Sequence, residues 1–211
     1  MSVTFDTLAA PLGGLLIGYL FGSIPFGILL TRAAGAGDLR SIGSGNIGAT
    51  NVLRTGRKGL AALTLLLDAA KGAAAILVVR LVFPDEPQLD PLAAFGALIG
   101  HLYPLWLGFR GGKGVATFLG ILAALHWQTA LAAGALWLLM LALTRYSSLA
   151  GMTMALSAPV VAALFGRFDL ALLLLGFGLL IVWKHRSNLE RLLAGTEPRV
   201  GQGGAEEGTD G

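Results

Sequence analysis

Cysteine is absent from the 211 residues, which excludes disulfides, thiolate metal sites, iron–sulfur clusters and a cysteine nucleophile. Charge is scarce as well. Only 13% of the residues are Asp, Glu, Lys or Arg, against about 25% in a soluble domain. Hydrophobic residues make up 55% of the chain, and the mean hydropathy is +0.75. A soluble globular enzyme and a disordered chain are thereby excluded. The net charge of +3 is too small and too scattered to follow a phosphate backbone, so no nucleic-acid partner is expected. Nothing matches G-x-S-x-G, H-E-x-x-H or a pair of catalytic carboxylates, and His101, His126 and His185 lie too far apart to suggest a metal site. No metal, no cofactor and no obligate protein partner are therefore expected. What remains is an all-α polytopic integral membrane protein.

A bilayer core of about 30 Å takes roughly 17–25 apolar residues per helix. Pro11–Leu30, Leu60–Phe83, Leu92–Phe109, Leu149–Phe165 and Leu170–Trp183 read as spans. The first of them has no basic residues before it and is not read as a cleavable signal. Val115–Leu143 is the decisive stretch, because one helix of that length would run about 43 Å. A bend at His126–Gln128 divides it into two short helices. The positive-inside rule chooses between six and seven spans. Seven spans put twelve Lys and Arg side chains on one side and two, Arg80 and Arg167, on the other; six spans split them eight against six. Seven transmembrane helices are therefore predicted, with the N-terminus outside and the C-terminus cytoplasmic, and with a tilted or partly recessed hairpin over Val115–Leu143. The predicted organisation is a single membrane domain over 1–194 and a Gly-rich, acidic, disordered tail over 195–211.

With that topology, four polar segments share one face: Asp38–Lys58, Gly108–Thr117, Arg145–Ser148 and Lys184–Arg191. Their Gly, Ser, Thr, Asn, Arg and Lys content describes an anion pocket, best suited to phosphate. Gly43–Gly48 fits G-x-G-x-x-G, but no strand precedes it, so a phosphate-binding loop is preferred to a dinucleotide site or a plain connector. Gly111-Gly112-Lys113-Gly114 is not a Walker A motif. It opens a helix, where free N–H groups favour an anion, and a mere anchor lysine would need no glycines. His185 and Asn188, three apart, share a helix face, and His185 with Glu190 forms an H-x4-E pair. Asp68 and Lys71 sit mid-span at i and i+3 and are predicted to pair, with a proton or ion pathway as the alternative. His101 reads as a satisfied interior histidine, His126 as an outer turn, and Gly14, Gly18 and Gly22 as a close helix contact.

Two function classes survive: an enzyme acting on a phosphorylated substrate at the membrane face, and a transporter of an anionic phosphorylated solute. The polar chemistry gathers at one surface and no internal repeat is visible, which favours the enzyme.

Three blocks, DLRSIGSGNIGATNVLR, GHLYPLWLGFRGGKGVAT and KHRSNLERLLAGTE, with a weaker RYSSLAG between the last two, carry a family resemblance. From about Gly22 to Glu197 the chain resembles the acyl-phosphate-dependent glycerol-3-phosphate acyltransferases of bacteria, the PlsY type. The resemblance implies transfer of a fatty acyl group from acyl-phosphate to the 1-hydroxyl of glycerol 3-phosphate, giving lysophosphatidic acid and phosphate. It further implies a seven-helix protein of the inner membrane with its active site facing the cytoplasm, and no metal. Carried over by position, Ser44, Arg54, Lys113, Ser148, His185 and Asn188 form the phosphate and catalytic pocket. Gly45, Asn46, Thr50 and Asn51 shape or contact it, as do Gly111, Gly112 and Gly114. The choice between Ser147 and Ser148 stays open. So does the proton acceptor, a substrate phosphate by resemblance or His185 as general base.

Overall fold

The computed structural model describes residues 5–201, and those residues are helical or irregular, with no strand among them. Ten helices follow one another: α1 (Phe5–Gly22), α2 (Phe26–Ala33), α3 (Ala49–Leu53), α4 (Lys58–Val82), α5 (Asp90–Leu102), α6 (Val115–Leu125), α7 (Trp127–Thr144), α8 (Ser147–Leu164), α9 (Phe168–Lys184) and α10 (Arg186–Leu193). Among the described residues, four stretches can cross a membrane by length and composition: Leu8–Ala33, Lys58–Val82, Trp127–Thr144 and Ser147–Leu164. A fifth is available if α9 and α10, bent by 61°, are taken together. Large apolar side chains such as Leu81, Leu164, Phe168 and Leu172 point outward, as lipid-facing residues do and those of a soluble monomer do not.

Small residues set the spacing inside. A Cβ on Gly18 would lie 2.3 Å from the Ala93 carbonyl oxygen, and one on Gly22 would lie 2.0 Å from that of Ala97. Gly96 and Gly100 return the contact against Leu15 and Tyr19. Of the three predicted glycines, Gly18 and Gly22 make the close α1–α5 contact, where backbones touch because no side chain intervenes, whereas Gly14 meets only the Leu89 and Val79 side chains at ordinary distances. Around it a core of Ala93, Ala97, Phe118, Met154, Ala158, Leu174 and Phe177 is closed to solvent.

The helix breaks differ in part from the sequence reading. Val115–Leu143 divides at His126, as expected. His126 Nδ1 lies 2.9 Å from Thr129 Oγ1 and accepts from its backbone N–H, starting α7. The stretch Pro11–Leu30 is not one continuous helix, because Pro25 has no N–H and its ring opposes the helical turn before it; α1 ends at Gly22 and α2 restarts at Phe26. The helix expected over Leu92–Phe109 stops at Leu102, ahead of Tyr103-Pro104. Its last carbonyls are partly satisfied by Lys184, whose Nζ lies 3.3 Å from Leu102 O and 4.3 Å from the Tyr103 ring centroid. The tail also departs from expectation. Residues 195–201 fold back onto the bundle, since Glu197 is a buried hydrogen-bond acceptor and Val200 pairs with the Arg145 main chain. The rest of the predicted tail lies outside the described residues.

Asp68 and Lys71 do pair, with Nζ 2.6 Å from Oδ1 and both side chains closed to solvent. Lys71 also donates to the Ile24 carbonyl at 2.7 Å, one of the groups that the α1–α2 break releases. Removing one partner strands the other charge, at a cost of about 3–5 kcal/mol, whereas neutralising both is far milder. Asp68→Asn and Lys71→Met should therefore each lower thermal stability more than the double substitution does, and simple additivity in the melting temperatures would count against the pairing.

Candidate active site

A cavity of about 650 Å³ collects residues from all four polar segments and the returning strap: Ser44, Asn46, Thr50, Asn51, Arg54, Lys113, Gly114, Ser147, Ser148, His185, Asn188, Arg191 and Glu197 among them. Asp68, His101 and Trp137 also border it.

The first segment is built around Asn51. Its Nδ2 donates to the carbonyls of Leu39, Ile42 and Asn46 at 2.8–2.9 Å, while its Oδ1 accepts from the Ser44 N–H at 3.2 Å. One buried amide thereby folds the loop and presents Ser44 and Asn46 to the cavity. Gly43 takes φ +54, and a Cβ there would strike Arg54 Nη1 at 2.6 Å. The glycine makes room for the arginine.

In the second segment the double glycine serves close approach. The Gly111 N–H donates to Leu102 O and the Gly112 N–H to His101 O. A Cβ on Gly111 would lie 2.1 Å from His101 O, and one on Gly112 would lie 2.1 Å from His101 Nε2. Their N–H groups are thus committed to α5, and neither residue borders the cavity; nor does Gly45, which turns the first loop at φ +68. These three predicted site glycines shape backbone. Gly114, at φ +89, does border the cavity and turns the chain into α6. The first α6 N–H groups there have no intrahelical partner, and Val115 and Ala116 line the same space.

Lys113 Nζ donates to Asn188 Oδ1. The other end of that amide donates to Glu197 Oε1 at 2.7 Å. Ser148 Oγ donates to the same oxygen at 2.6 Å, and Arg191 Nε donates to Oε2 at 2.7 Å. Burial opposes charge on Glu197, yet the bonds from Ser148, Asn188 and Arg191 outweigh it and hold the carboxyl below its usual range. Burial, together with Arg191, Arg54 and Lys184, lowers Lys113 to about 8, against the pull of Glu197. His185, also buried, is lowered to about 4. Its Nδ1 donates to Ile181 O at 2.8 Å, which leaves Nε2 as the lone-pair nitrogen of a neutral ring.

The structure therefore brings His185, Asn188, Lys113, Arg54, Ser44, Asn46, Thr50 and Ser148 together. Of the two serines, Ser148 is the one fixed by a carboxylate, although both border the cavity. Glu190 is exposed and away from the cavity, so no H-x4-E pair forms; the carboxylate that matters is Glu197. Sequence reasoning missed Glu197 as a site residue because a lone acid in a Gly-rich segment looks solvated. His101 is not satisfied: Nδ1 has no hydrogen-bond partner and faces Asp68 Oδ1 at 3.9 Å.

The family model for glycerol-3-phosphate acyltransferase matches residues 12–195. The chain belongs to the glycerol-3-phosphate acyltransferase family. A glycerol-3-phosphate acyltransferase of Mesorhizobium japonicum is 56% identical over 190 residues, 90% of this chain and 96% of that one. One of Rhodopseudomonas palustris is 55% identical, covering 90% and 96%. Two crystal structures of PlsY (YgiH), an integral membrane glycerol 3-phosphate acyltransferase, superpose on the fold. Its glycerol 3-phosphate form has a TM-score of 0.84 at 37% identity, covering 92% of this chain and 96% of that one; its lysophosphatidic acid form gives 0.82 at 35%, covering 90% and 95%. The cavity is thus the candidate active site of a membrane acyltransferase of phospholipid synthesis.

In this acyltransferase Glu197 holds Asn188, and through it Lys113. Glu197→Ala leaves two buried donors without an acceptor and should cost about 1–3 kcal/mol each in the fully buried limit, seen as a lower melting temperature in detergent. Since the folded carboxyl is held below its ordinary value of 4.5, its contribution is present above that pH and is lost as pH falls through the folded value. Acid should therefore erase the difference between wild type and Glu197→Ala.

Proposed function

We propose that this acyltransferase takes its acyl group from a fatty acyl-phosphate and delivers it to the 1-hydroxyl of glycerol 3-phosphate, releasing lysophosphatidic acid and inorganic phosphate. The observation that carries the reading is a cation-lined cavity, with Arg54, Lys113, Arg191 and Arg199 on its wall, whose histidine, His185, has no hydroxyl hydrogen-bonded to it among the described residues. The Ser148 hydroxyl donates to Glu197, whose carboxyl is held below its usual range and is therefore a weak base.

An acyl-phosphate needs no enzyme nucleophile, because its leaving group is already good. The acceptor oxygen attacks the carbonyl carbon, the carbon–oxygen bond to phosphate breaks, and its electrons leave with phosphate. Lys113, Arg54 and the α6 N-terminus stabilise that departing charge, while the loops hold donor and acceptor together. The hydroxyl proton passes to a substrate phosphate; His185 Nε2 is the competing acceptor. The glycerol 3-phosphate and lysophosphatidic acid forms of the structural neighbour support the acceptor and the product.

The membrane arrangement is part of the same proposal. Seven spans arise if α1 with α2, then α4, α5, α6, α7, α8 and α9 each traverse the bilayer of the bacterial inner membrane. The N-terminus is then outside, the C-terminus inside, and the cavity faces the cytoplasm. Of these, α5 and α6 have 13 and 11 residues, about 20 and 17 Å long, so both are recessed relative to the longer helices.

Purified protein should form lysophosphatidic acid from acyl-phosphate and glycerol 3-phosphate but not from acyl-CoA; product from acyl-CoA alone overturns the donor assignment. Lys113→Ala should lose about 10²-fold in turnover while remaining folded. Because Lys113 is a cation below about pH 8 and neutral above it, kcat/KM should fall on that alkaline limb. His185→Gln separates the two proton routes: turnover survives if a phosphate takes the proton and vanishes if His185 does.

A further inference from the structure

Beneath the two phosphate-facing loops lies a cluster that the chemistry above does not use. Lys71, Asp68 and His101 are each at most 4% exposed, and they form a line across the bundle. Lys71 donates to Ile24 O at the α1–α2 break and pairs with Asp68. Asp68 Oδ1 faces His101 Nδ1 at 3.9 Å, a nitrogen without any other partner. The far side of the His101 ring carries Gly112, whose α-carbon leaves no room for a side chain over Nε2, and the His101 carbonyl accepts the Gly112 N–H. Lys113 is the next residue. At its other end the line reaches the first loop, because α2 begins immediately after Ile24-Pro25 and its Gly27 packs where a Cβ would lie 1.9 Å from Ile47 O.

We infer that His101 is a positioning residue for the acyl-transfer reaction: backed by the Asp68–Lys71 pair, it fixes the Gly111–Gly112 turn and thereby holds Lys113 at its station in the cavity. Three facts support this. The His101 carbonyl presses on Gly111, together with Pro104 and Leu102, and the His101 ring alone presses on Gly112. The Asp68 carboxylate of a buried ion pair stands 3.9 Å from Nδ1, on the edge of the ring away from Gly112, without a hydrogen bond between them. The same pair satisfies the carbonyl at the helix break that leads to the other loop, so one rigid cluster sets both loops. The inference rests on the reading of Lys113 as a phosphate-holding cation.

The charged and titratable groups that face Lys113 are Arg54 after α3, Lys184 at the end of α9, His185, Arg191 on α10, and Glu197 on the strap. None of them belongs to the α5 support, so loosening the turn changes the burial of Lys113 while leaving its neighbours in place. His101→Leu should lower kcat/KM for glycerol 3-phosphate by about 10- to 100-fold, the scale of a small misplacement. It should also move the alkaline limb upward from about 8 toward the ordinary lysine value of 10.5 as Lys113 regains water. His101→Asn, which keeps an N–H near Nδ1, should recover part of both. An unchanged rate, or activity that falls only with the folded fraction while the limb stays near 8, overturns the inference. If His101→Leu does not fold, the double substitution Asp68→Asn with Lys71→Met is read the same way: an upward limb supports the role and an unmoved limb overturns it. Lys113→Ala separates the two levels, since near-normal turnover there overturns the underlying reading as well, whereas loss there with a silent His101→Leu overturns this one alone.

Discussion

A charge pair almost wholly buried among helices must draw its partners from the protein itself. Asp68 and Lys71 meet that constraint with one contact to each other and one to a main-chain carbonyl. That carbonyl is available only because Pro25 interrupts the first apolar stretch, so the break and the ion pair complete one another. A continuous helix there would compete for that acceptor, and removing the lysine would leave the Asp68 carboxylate buried without its cation. The interior polar cluster is therefore part of how the helices are cut and joined, and the loops that form the cavity grow from those cuts.

A similar economy governs the cavity wall. Asn188 has one amide, and both of its ends are used: the oxygen receives Lys113 and the nitrogen is fixed by Glu197. Glu197 in turn gathers Ser148 and Arg191, so α8, α10, the strap and the turn before α6 converge on one carboxylate. Because that carboxylate stays ionised, the amide orientation is set, and with it the direction from which Lys113 is held. Asn51 does the equivalent work in the first loop with three donated bonds to carbonyls.

The apolar periodicity exposed most of the fold. The bend at His126 followed from the excess length of Val115–Leu143 and the gathering of basic residues on one side; the glycine contact of α1 followed from four-residue spacing. The breaks at Pro25 and Tyr103-Pro104 were less legible, since hydropathy runs straight through both and only the local stereochemistry of proline interrupts the helix. Of the site, the residues that project donors into the cavity were visible as an anomalous density of Gly, Asn, Ser and basic residues. Their roles were not all visible. Gly111 and Gly112 read as phosphate-cradling backbone, whereas their N–H groups are bound to α5; spacing alone cannot tell a glycine that admits a ligand from one that admits a neighbouring ring. Glu197 was hidden for a different reason. Its burial depends on a chain reversal after α10, and a lone acid in a polar segment carries no periodic signal.

The electrostatics of Lys113 and His185 then acquire a common physical cause. Both sit in a space that burial has made expensive for positive charge, and both shift downward, one to about 8 and the other to about 4. At neutral pH the outcome differs: the lysine stays a cation and the histidine does not become one. A second full cation beside Lys113 would attract anions in the ground state as well as in the transition state, and uniform binding of that kind does not raise turnover. A neutral imidazole, fixed through Nδ1 with the Nε2 lone pair open, can instead accept from a hydroxyl and align it without adding to that ground-state attraction. Burial of the pocket thus leaves two basic residues of one cavity in different charge states at neutral pH, a cation and a neutral ring.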